Sequence, residues 1–215
     1  MSAWQSILDT FILQAKAGDL RTANYPKEWS DLRFRISFGM GAPSRIPWIA
    51  FLGPDMDVSR GYYPVYLYYK EFDILILAYG VSETNESPLS WPVEVISSKP
   101  TVSAYFDKKV PRYGDSFVFK GYKVSIQGNK VSYMYIDSNS PATEIDMESD
   151  ALNLIEYYKK LLSSPLSSIS VNENNQGLFY MEKELENFIV HNWDNIELGK
   201  KYDLIIEEGE LLSQQ

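Results

Sequence analysis

Tyr63-Pro-Val-Tyr-Leu-Tyr-Tyr69 and Ile74-Leu-Ile-Leu-Ala-Tyr79 are two runs dense in aromatic and apolar residues, separated only by Lys70-Glu-Phe-Asp73. Runs of this make-up suit a pleated surface that is at least half buried, and so short a connection turns the chain back on itself. The stretch is read as an antiparallel hairpin. In its first run, Tyr63, Leu67 and Tyr69 lie an even number of residues apart and share one face.

Working outward, more strands and a few helices flank this hairpin. Upstream, Leu32, Phe34, Ile36 and Phe38 alternate with Arg33, Arg35 and Ser37, the pattern of a half-buried strand. Gly39-Met-Gly-Ala-Pro-Ser-Arg45 is a loop, and Trp48 to Leu52 is a short apolar strand. Trp4, Ile7, Leu8, Phe11 and Ile12 follow helical spacing and predict a helix over 3–16. Downstream, Ser98-Lys-Pro100 reads as an N-cap with proline in the first turn, opening a short helix to Phe106. Phe117 to Ile126 and Lys130 to Ile136 flank Gly128-Asn129 and predict a second hairpin. Leu152, Ile155, Tyr158, Leu161 and Leu162 predict a helix over about 147–163. The fold class is α+β: a curved, mostly antiparallel sheet flanked by helices.

Residues 164–178, rich in Ser and Asn, read as a linker. Beyond it, Leu185, Phe188, Ile189 and Trp193 suggest another helix and Tyr202 to Ile206 a strand. Residues 179–215 are too few to fold as an independent domain. The expected organisation is one domain at 1–163, a linker at 164–178 and a stub at 179–215.

The 215 residues carry a net charge of −9, which at first sight disfavours a polyanionic partner. The charge is unevenly placed. Residues 1–135 hold 15 Lys+Arg against 13 Asp+Glu, whereas residues 136–215 hold 5 against 16. Arg33, Arg35 and Arg45 bracket a loop without acids, and Lys108, Lys109, Arg112, Lys120 and Lys123 surround only Asp115. Basic loops on a near-neutral body are compatible with phosphate contacts. With 16 tyrosines and 5 tryptophans the chain also has aromatic surface suited to stacking on bases, although core packing is the ordinary role of any one of them.

Reactive chemistry is sparse. The absence of cysteine excludes disulfides, thiolate zinc sites and a cysteine nucleophile. The lone histidine, His191, has no serine in a nucleophile elbow to serve. Gly39-Met-Gly41 lacks the Gly-Lys-Ser/Thr ending of a phosphate loop. Asp55 and Asp57 are not followed by a calcium-loop pattern, and Glu182, Glu184 and Glu186 read as a solvated face. No catalytic residue, metal site or cofactor is assigned to this chain. The N-terminus has neither the basic region nor the apolar run of a signal peptide, and nothing approaches a membrane span. A cytoplasmic, monomeric chain without membrane contact is the expectation.

Four motifs stand in order at close spacing: Ser37-Phe-Gly-Met-Gly41, Ile46-Pro-Trp-Ile-Ala-Phe-Leu-Gly53, Tyr63 to Asp73, and Leu77-Ala-Tyr-Gly-Val-Ser-Glu-Thr-Asn-Glu86. Together with Arg112-Tyr-Gly-Asp-Ser116, this set resembles the N-terminal DNA-binding domain of the McrB family of modified-cytosine-dependent restriction proteins. The resemblance implies a reader of double-stranded DNA that flips a 5-methyl- or 5-hydroxymethylcytosine out of the duplex into a pocket. Flipping costs a few kcal/mol, so stacking walls and a wedge must offset it. Carried over residue by residue, Trp48, Tyr63, Leu67 and Tyr113 would form the base pocket, and Met40 would enter the duplex beside the flipped base. Arg33, Arg35, Arg45, Lys109 and Arg112 are phosphate candidates on charge and position alone.

Phe179-Tyr-Met-Glu-Lys-Glu-Leu-Glu-Asn-Phe-Ile189 through Asp203 is similar to the opening of nuclease domains of the NucS and Mrr groups. That shorter likeness implies a type IV-like restriction endonuclease whose Mg²⁺-dependent cutting domain lies beyond this chain. Three other readings stay open: recognition of N6-methyladenine or another modified base by the same fold, a metal-dependent nuclease, and a protein-interaction module using the acidic C-terminal part.

Overall fold

The computed structural model describes residues 3–54, 56–85 and 90–163, together with the backbone of 206–207 and 210–211. The chain divides into two units, Met1–Ser170 and Val171–Gln215. In the first, eight strands form one antiparallel sheet in which every strand pairs with its neighbour in sequence. They are β1 (Glu28–Trp29), β2 (Leu32–Ser37), β3 (Trp48–Leu52), β4 (Tyr62–Tyr69), β5 (Ile74–Val81), β6 (Phe117–Gln127), β7 (Lys130–Tyr135) and β8 (Pro141–Ala142). Among the described residues four helices accompany them: α1 (Ala3–Ala17), α2 (Val93–Ser98), α3 (Val102–Tyr105) and α4 (Glu144–Ser163). The α+β class and the antiparallel sheet are those expected. In the second unit, Ile206–Glu207 and Glu210–Leu211 pair antiparallel as β9 and β10. The linker at 164–178, Asp55, Glu182, Glu184, Glu186, His191 and the whole segment compared with nuclease domains lie outside the described residues.

The central hairpin pairs Tyr62 to Tyr69 with Val81 to Ile74 without interruption. Every residue of β4 is buried, because both faces of that strand are covered. On one face lie α1 and α4. Trp4, Leu8, Phe11, Ile12 and Ala15 form the buried stripe of α1, at the spacing that places side chains on one side of a helix. The Trp4 ring is centred 5.6 Å from Tyr66 and 5.1 Å from Trp29, and Phe11 lies 5.4 Å from Phe38 and 6.4 Å from Tyr68. Removing so large a buried ring as Trp4 would cost about 3–5 kcal/mol. Tyr158 of α4 packs on Tyr62 and Trp91, each 5.6 Å away, and its hydroxyl accepts the Gly53 N–H at 3.2 Å.

Two helix boundaries differ from those expected. The short helix after Pro100 is capped by Thr101, whose hydroxyl accepts the Ala104 N–H, while Ser98 ends α2 and bonds back to the Glu94 carbonyl. Proline disfavours helical geometry in the residue before it, so a helix starting at Ser98 would have to run through a position held extended. Lys99 has φ −108° and ψ 137°, which is that extended conformation. The long helix begins at Glu144 instead of 147, because Thr143 and Asp146 cap each other: Thr143 N–H donates to Asp146 Oδ2 at 2.9 Å and Asp146 N–H to Thr143 Oγ1 at 3.3 Å.

On the opposite face of the sheet, Phe106 covers Tyr69 with ring centroids 4.9 Å apart. Trp48 pairs with Leu67 and Ala50 with Val65 across β3 and β4, so these side chains and those of Tyr63 and Tyr69 share this second face. Two loops, 38–47 and 107–116, border it and leave part of it open.

Candidate functional site

The loop from β2 to β3 has a conformation that its sequence dictates. Ser44 N–H donates to the Phe38 carbonyl at 2.6 Å and closes the turn. Gly39 has φ +124°, and a Cβ there would lie 2.1 Å from the Ala42 oxygen, so only glycine fits. The turn leaves Met40 98% exposed, held out from the sheet with no core contact of its own.

The 107–116 loop is tied down on the other side. Tyr69 hydroxyl donates to the Arg112 carbonyl at 3.1 Å, and Val81 N–H donates to Ser116 Oγ at 3.1 Å. Tyr113 N–H donates to Oε1 of Glu83. These bonds hold Tyr113 at φ +63°, a conformation uncommon for an aromatic residue and stable only where the surroundings impose it.

Between the two loops lies a cavity of about 260 Å³. That is just below the ~300–1,000 Å³ of sites for drug-sized ligands, a size suited to one small ring system. Trp48, Tyr63 and Tyr113 are its aromatic walls, Val58 and Val65 add apolar surface, and Met40 stands at the rim. Gly80, directly across from Tyr63, lines it as well: a Cβ there would lie 2.7 Å from both the Tyr63 oxygen and Val65 Cγ1. Polar groups converge from Ser37, Ser44, Ser59, Thr84 and Ser116 and from one carboxylate, Glu83.

Tyr63 is held by its hydroxyl, which donates to the Val58 carbonyl at 2.8 Å. Burial pushes the phenols of Tyr63 and Tyr69 well above their ordinary range, with the Glu83 charge adding to it. Burial also raises Tyr113, partly offset by Arg112 and by the Trp48 indole N–H directed at its hydroxyl. These phenols are therefore neutral at physiological pH, those of Tyr63 and Tyr69 being already donated to backbone carbonyls.

Of the pocket residues expected from sequence, Trp48, Tyr63 and Tyr113 come together around this cavity with Met40 at its edge. Leu67 does not line it. It is fully buried beside Trp48 in the register and supports that ring from the next strand. Shared parity on a strand fixes the face of a residue but not its depth beneath larger neighbours.

The basic residues separate into two kinds. Arg35, Arg45, Lys109 and Arg112 are exposed. Arg112 lies along the cavity, its guanidinium carbon 5.0 Å from the Tyr113 ring centre and its Nε 3.5 Å from Glu83 Oε2. Arg45 lines a neighbouring cavity of about 340 Å³ with Lys70, Glu71 and Phe72, and Ser44 borders both cavities. Arg33 departs from the phosphate role expected of it. Its Nη2 donates to the carbonyls of Gly53, Pro54 and Met56, and so it braces the turn after β3. Those carbonyls leave the sheet without a strand partner, and the adjacent arginine supplies their donor.

Glu83 was missed because an acid is not sought in a site defined by aromatics and basic loops. The available signal was its place in the run from Leu77 to Glu86, directly after the strand that carries Gly80. Among the described residues, no group of three or more His, Cys, Asp or Glu side chains could hold a metal ion, and no helix is long and apolar enough to cross a membrane.

The family described as "MrcB-like, N-terminal domain" matches residues 10–163. Over 174 residues the chain is 38% identical to a protein of Escherichia coli (strain K12) described as "Type IV methyl-directed restriction enzyme EcoKMcrB subunit", a match covering 79% of this chain and 35% of that protein. The chain therefore spans about a third of the length of that relative.

Proposed function

The chain belongs to the MrcB-like N-terminal domain family, and we propose from this premise that it reads modified DNA, holding a single flipped 5-methyl- or 5-hydroxymethylcytosine in the cavity between its two loops. The observation carrying this reading is the convergence of Trp48, Tyr63 and Tyr113 on one small cavity with an exposed methionine at its rim. Three aromatic walls suit the faces of a single base. Met40, apolar and pliable, would fill the gap that the base leaves in the stack. Arg35, Arg45, Lys109 and Arg112 would meet phosphates on either side of the opening, fixing orientation without reading sequence.

In this reading the domain works in the cytoplasm as a monomeric reader within a longer type IV-like restriction protein. DNA cutting and its Mg²⁺ belong to another region of that protein, and this domain supplies no catalytic group. The test is equilibrium binding, by fluorescence anisotropy, of matched duplexes that differ only in one methyl or hydroxymethyl group. The salt concentration should be high enough to suppress non-specific phosphate binding. A clear preference for the modified duplex is expected. Equal affinity for modified and unmodified duplexes would overturn the proposal.

A further inference from the structure

Apolar walls alone cannot carry out the task assigned to this cavity. 5-Methylcytosine and thymine have the same ring and the same methyl group, and thymine is abundant in all DNA. A site that sensed only shape and a methyl group would accept both. The two bases differ at position 4, where cytosine carries an amino donor and thymine a carbonyl acceptor, and at the adjacent position 3, where cytosine has a bare acceptor nitrogen and thymine an N–H.

We infer that Glu83 reads position 4, accepting the 4-amino group of the held base and rejecting a 4-carbonyl. The inference rests on the base-holding reading of the cavity. Among the described lining residues Glu83 is the carboxylate, beside Arg112, Tyr113 and Gly80. The hydroxyls of Ser37, Ser44, Thr84 and Ser116 can donate or accept, so they accommodate either base, while the Ser59 hydroxyl is already given to Asp57 at 3.0 Å. An ionised carboxylate only accepts, and it has about four lone-pair sites. In Glu83, Oε1 takes the Tyr113 N–H and Oε2 faces the Arg112 guanidinium, which leaves acceptor capacity on both oxygens.

Those two contacts also settle the orientation of the carboxylate. Its side chain is 28% exposed against 61% for Arg112, so the acid is the more enclosed of the two groups bordering the cavity. A reading group held before its ligand arrives discriminates better than one that must be ordered by binding. A thymine O4 in the same place would set a carbonyl dipole against a carboxylate, with neither group able to donate. Sites built around such a bond reject the analogue that lacks it far more strongly than sites that sense shape.

The experiment uses the full chain and four duplexes identical except at one position opposite guanine: 5-methylcytosine, cytosine, thymine and 5-methylpyrimidin-2-one, which keeps the methyl but lacks the 4-amino group. Binding of 5-methylcytosine is expected to be about 10–100-fold tighter than that of thymine or of the pyrimidinone. A mispaired base opens more easily than a paired one, so weaker binding of the T·G duplex cannot be assigned to the energy of flipping. Glu83→Gln keeps an amide oxygen for the Tyr113 N–H and adds a donor for O4. Its ratio of 5-methylcytosine to thymine affinity is expected to collapse toward unity or invert, with an unchanged circular dichroism spectrum.

If wild type prefers 5-methylcytosine to cytosine but binds thymine equally well, the role of Glu83 is wrong and the cavity reading stands. If wild type does not distinguish 5-methylcytosine from cytosine, the cavity reading falls and this inference with it. A Glu83→Gln protein with the wild-type ratio would also overturn it, and the wild-type comparisons decide the matter should that variant not fold.

Discussion

The backbone N–H of Tyr113 donates to the carboxylate of Glu83, thirty residues earlier in the chain, and this bond joins the loop after α3 to the end of β5. It helps to hold an aromatic residue at φ +63° and sets one wall of the cavity at a fixed distance from the others. Tyr113→Ala would remove the ring but leave the backbone N–H to the carboxylate. Discrimination between modified and unmodified duplexes is expected to fall by about tenfold or more, the share of one stacking surface. Parallel anisotropy titrations check this, and full discrimination without the ring would remove Tyr113 from the site.

Trp48 and Leu67 face each other across β3 and β4 but do different work. Trp48→Ala is expected to reduce discrimination first, since the indole lines the cavity. Leu67→Ala empties a fully buried position and is expected to destabilise the domain by about 2–5 kcal/mol. Denaturant unfolding and duplex binding, measured on both proteins, separate the wall from its support.

Met40 is almost wholly exposed and supports nothing in the core. Met40→Ala is expected to leave stability within about 0.5 kcal/mol of wild type. If it fills the space of a flipped base, it should weaken binding of the modified duplex by about 1 kcal/mol or more while non-specific binding stays constant. Equal weakening on both duplexes would instead mark it as a general DNA contact.

Asp150 is a buried carboxylate that accepts the hydroxyls of Tyr122 at 2.8 Å and Tyr135 at 2.7 Å through one oxygen. Asp150→Ala strands both phenols and should cost about 2–4 kcal/mol. Asp150→Asn, which keeps an acceptor oxygen, should cost less. The midpoint of urea unfolding at an unchanged m-value is the measurement.

Asp9 accepts from Gln5 at 2.7 Å and from the Tyr133 hydroxyl at 3.0 Å, yet burial, the largest influence, raises its carboxyl above the ordinary value. The folded state then binds this proton more tightly than the unfolded chain. The contribution of Asp9 is most favourable below the unfolded value, about 3.9, and is lost as pH rises through the raised folded value. Asp9→Asn removes that step. Melting temperatures recorded from about pH 4 to 7 should fall less with rising pH in the variant than in wild type. Parallel curves would refute the assignment.

The sheet was the legible part of this protein. The central hairpin, the strand from Leu32 and the Gly128-Asn129 turn carry their own periodicity and turn chemistry, and each lies where the sequence places it. Helix starts were less legible, because Thr101 and Thr143 act through hydroxyl and carboxylate bonds that leave no mark on apolar spacing. In the site, Trp48, Tyr63 and Tyr113 were available through resemblance, and only the fold shows that they converge. The depth of Leu67, the inward turn of Arg33 and the place of Glu83 depend on which loops come to lie side by side. No local pattern encodes that.

Because each strand of the sheet pairs with its neighbour in sequence, the domain can assemble by adding one hairpin after another to the β4–β5 pair. Apart from the β5–β6 pair, whose strands are separated by residues 82–116 with α2 and α3, such local pairing involves short loop closures and favours rapid folding. The cavity follows a different schedule. Trp48 and Tyr63 reach their places with the meander, but Tyr113 arrives only when the loop after α3 closes back over β4 and finds Glu83. Substitutions in β4 and β5 should therefore slow refolding, whereas substitutions at Tyr113 or Glu83 should act mainly on the unfolding rate. The recognition surface would be the last part of the molecule to form and the first to open.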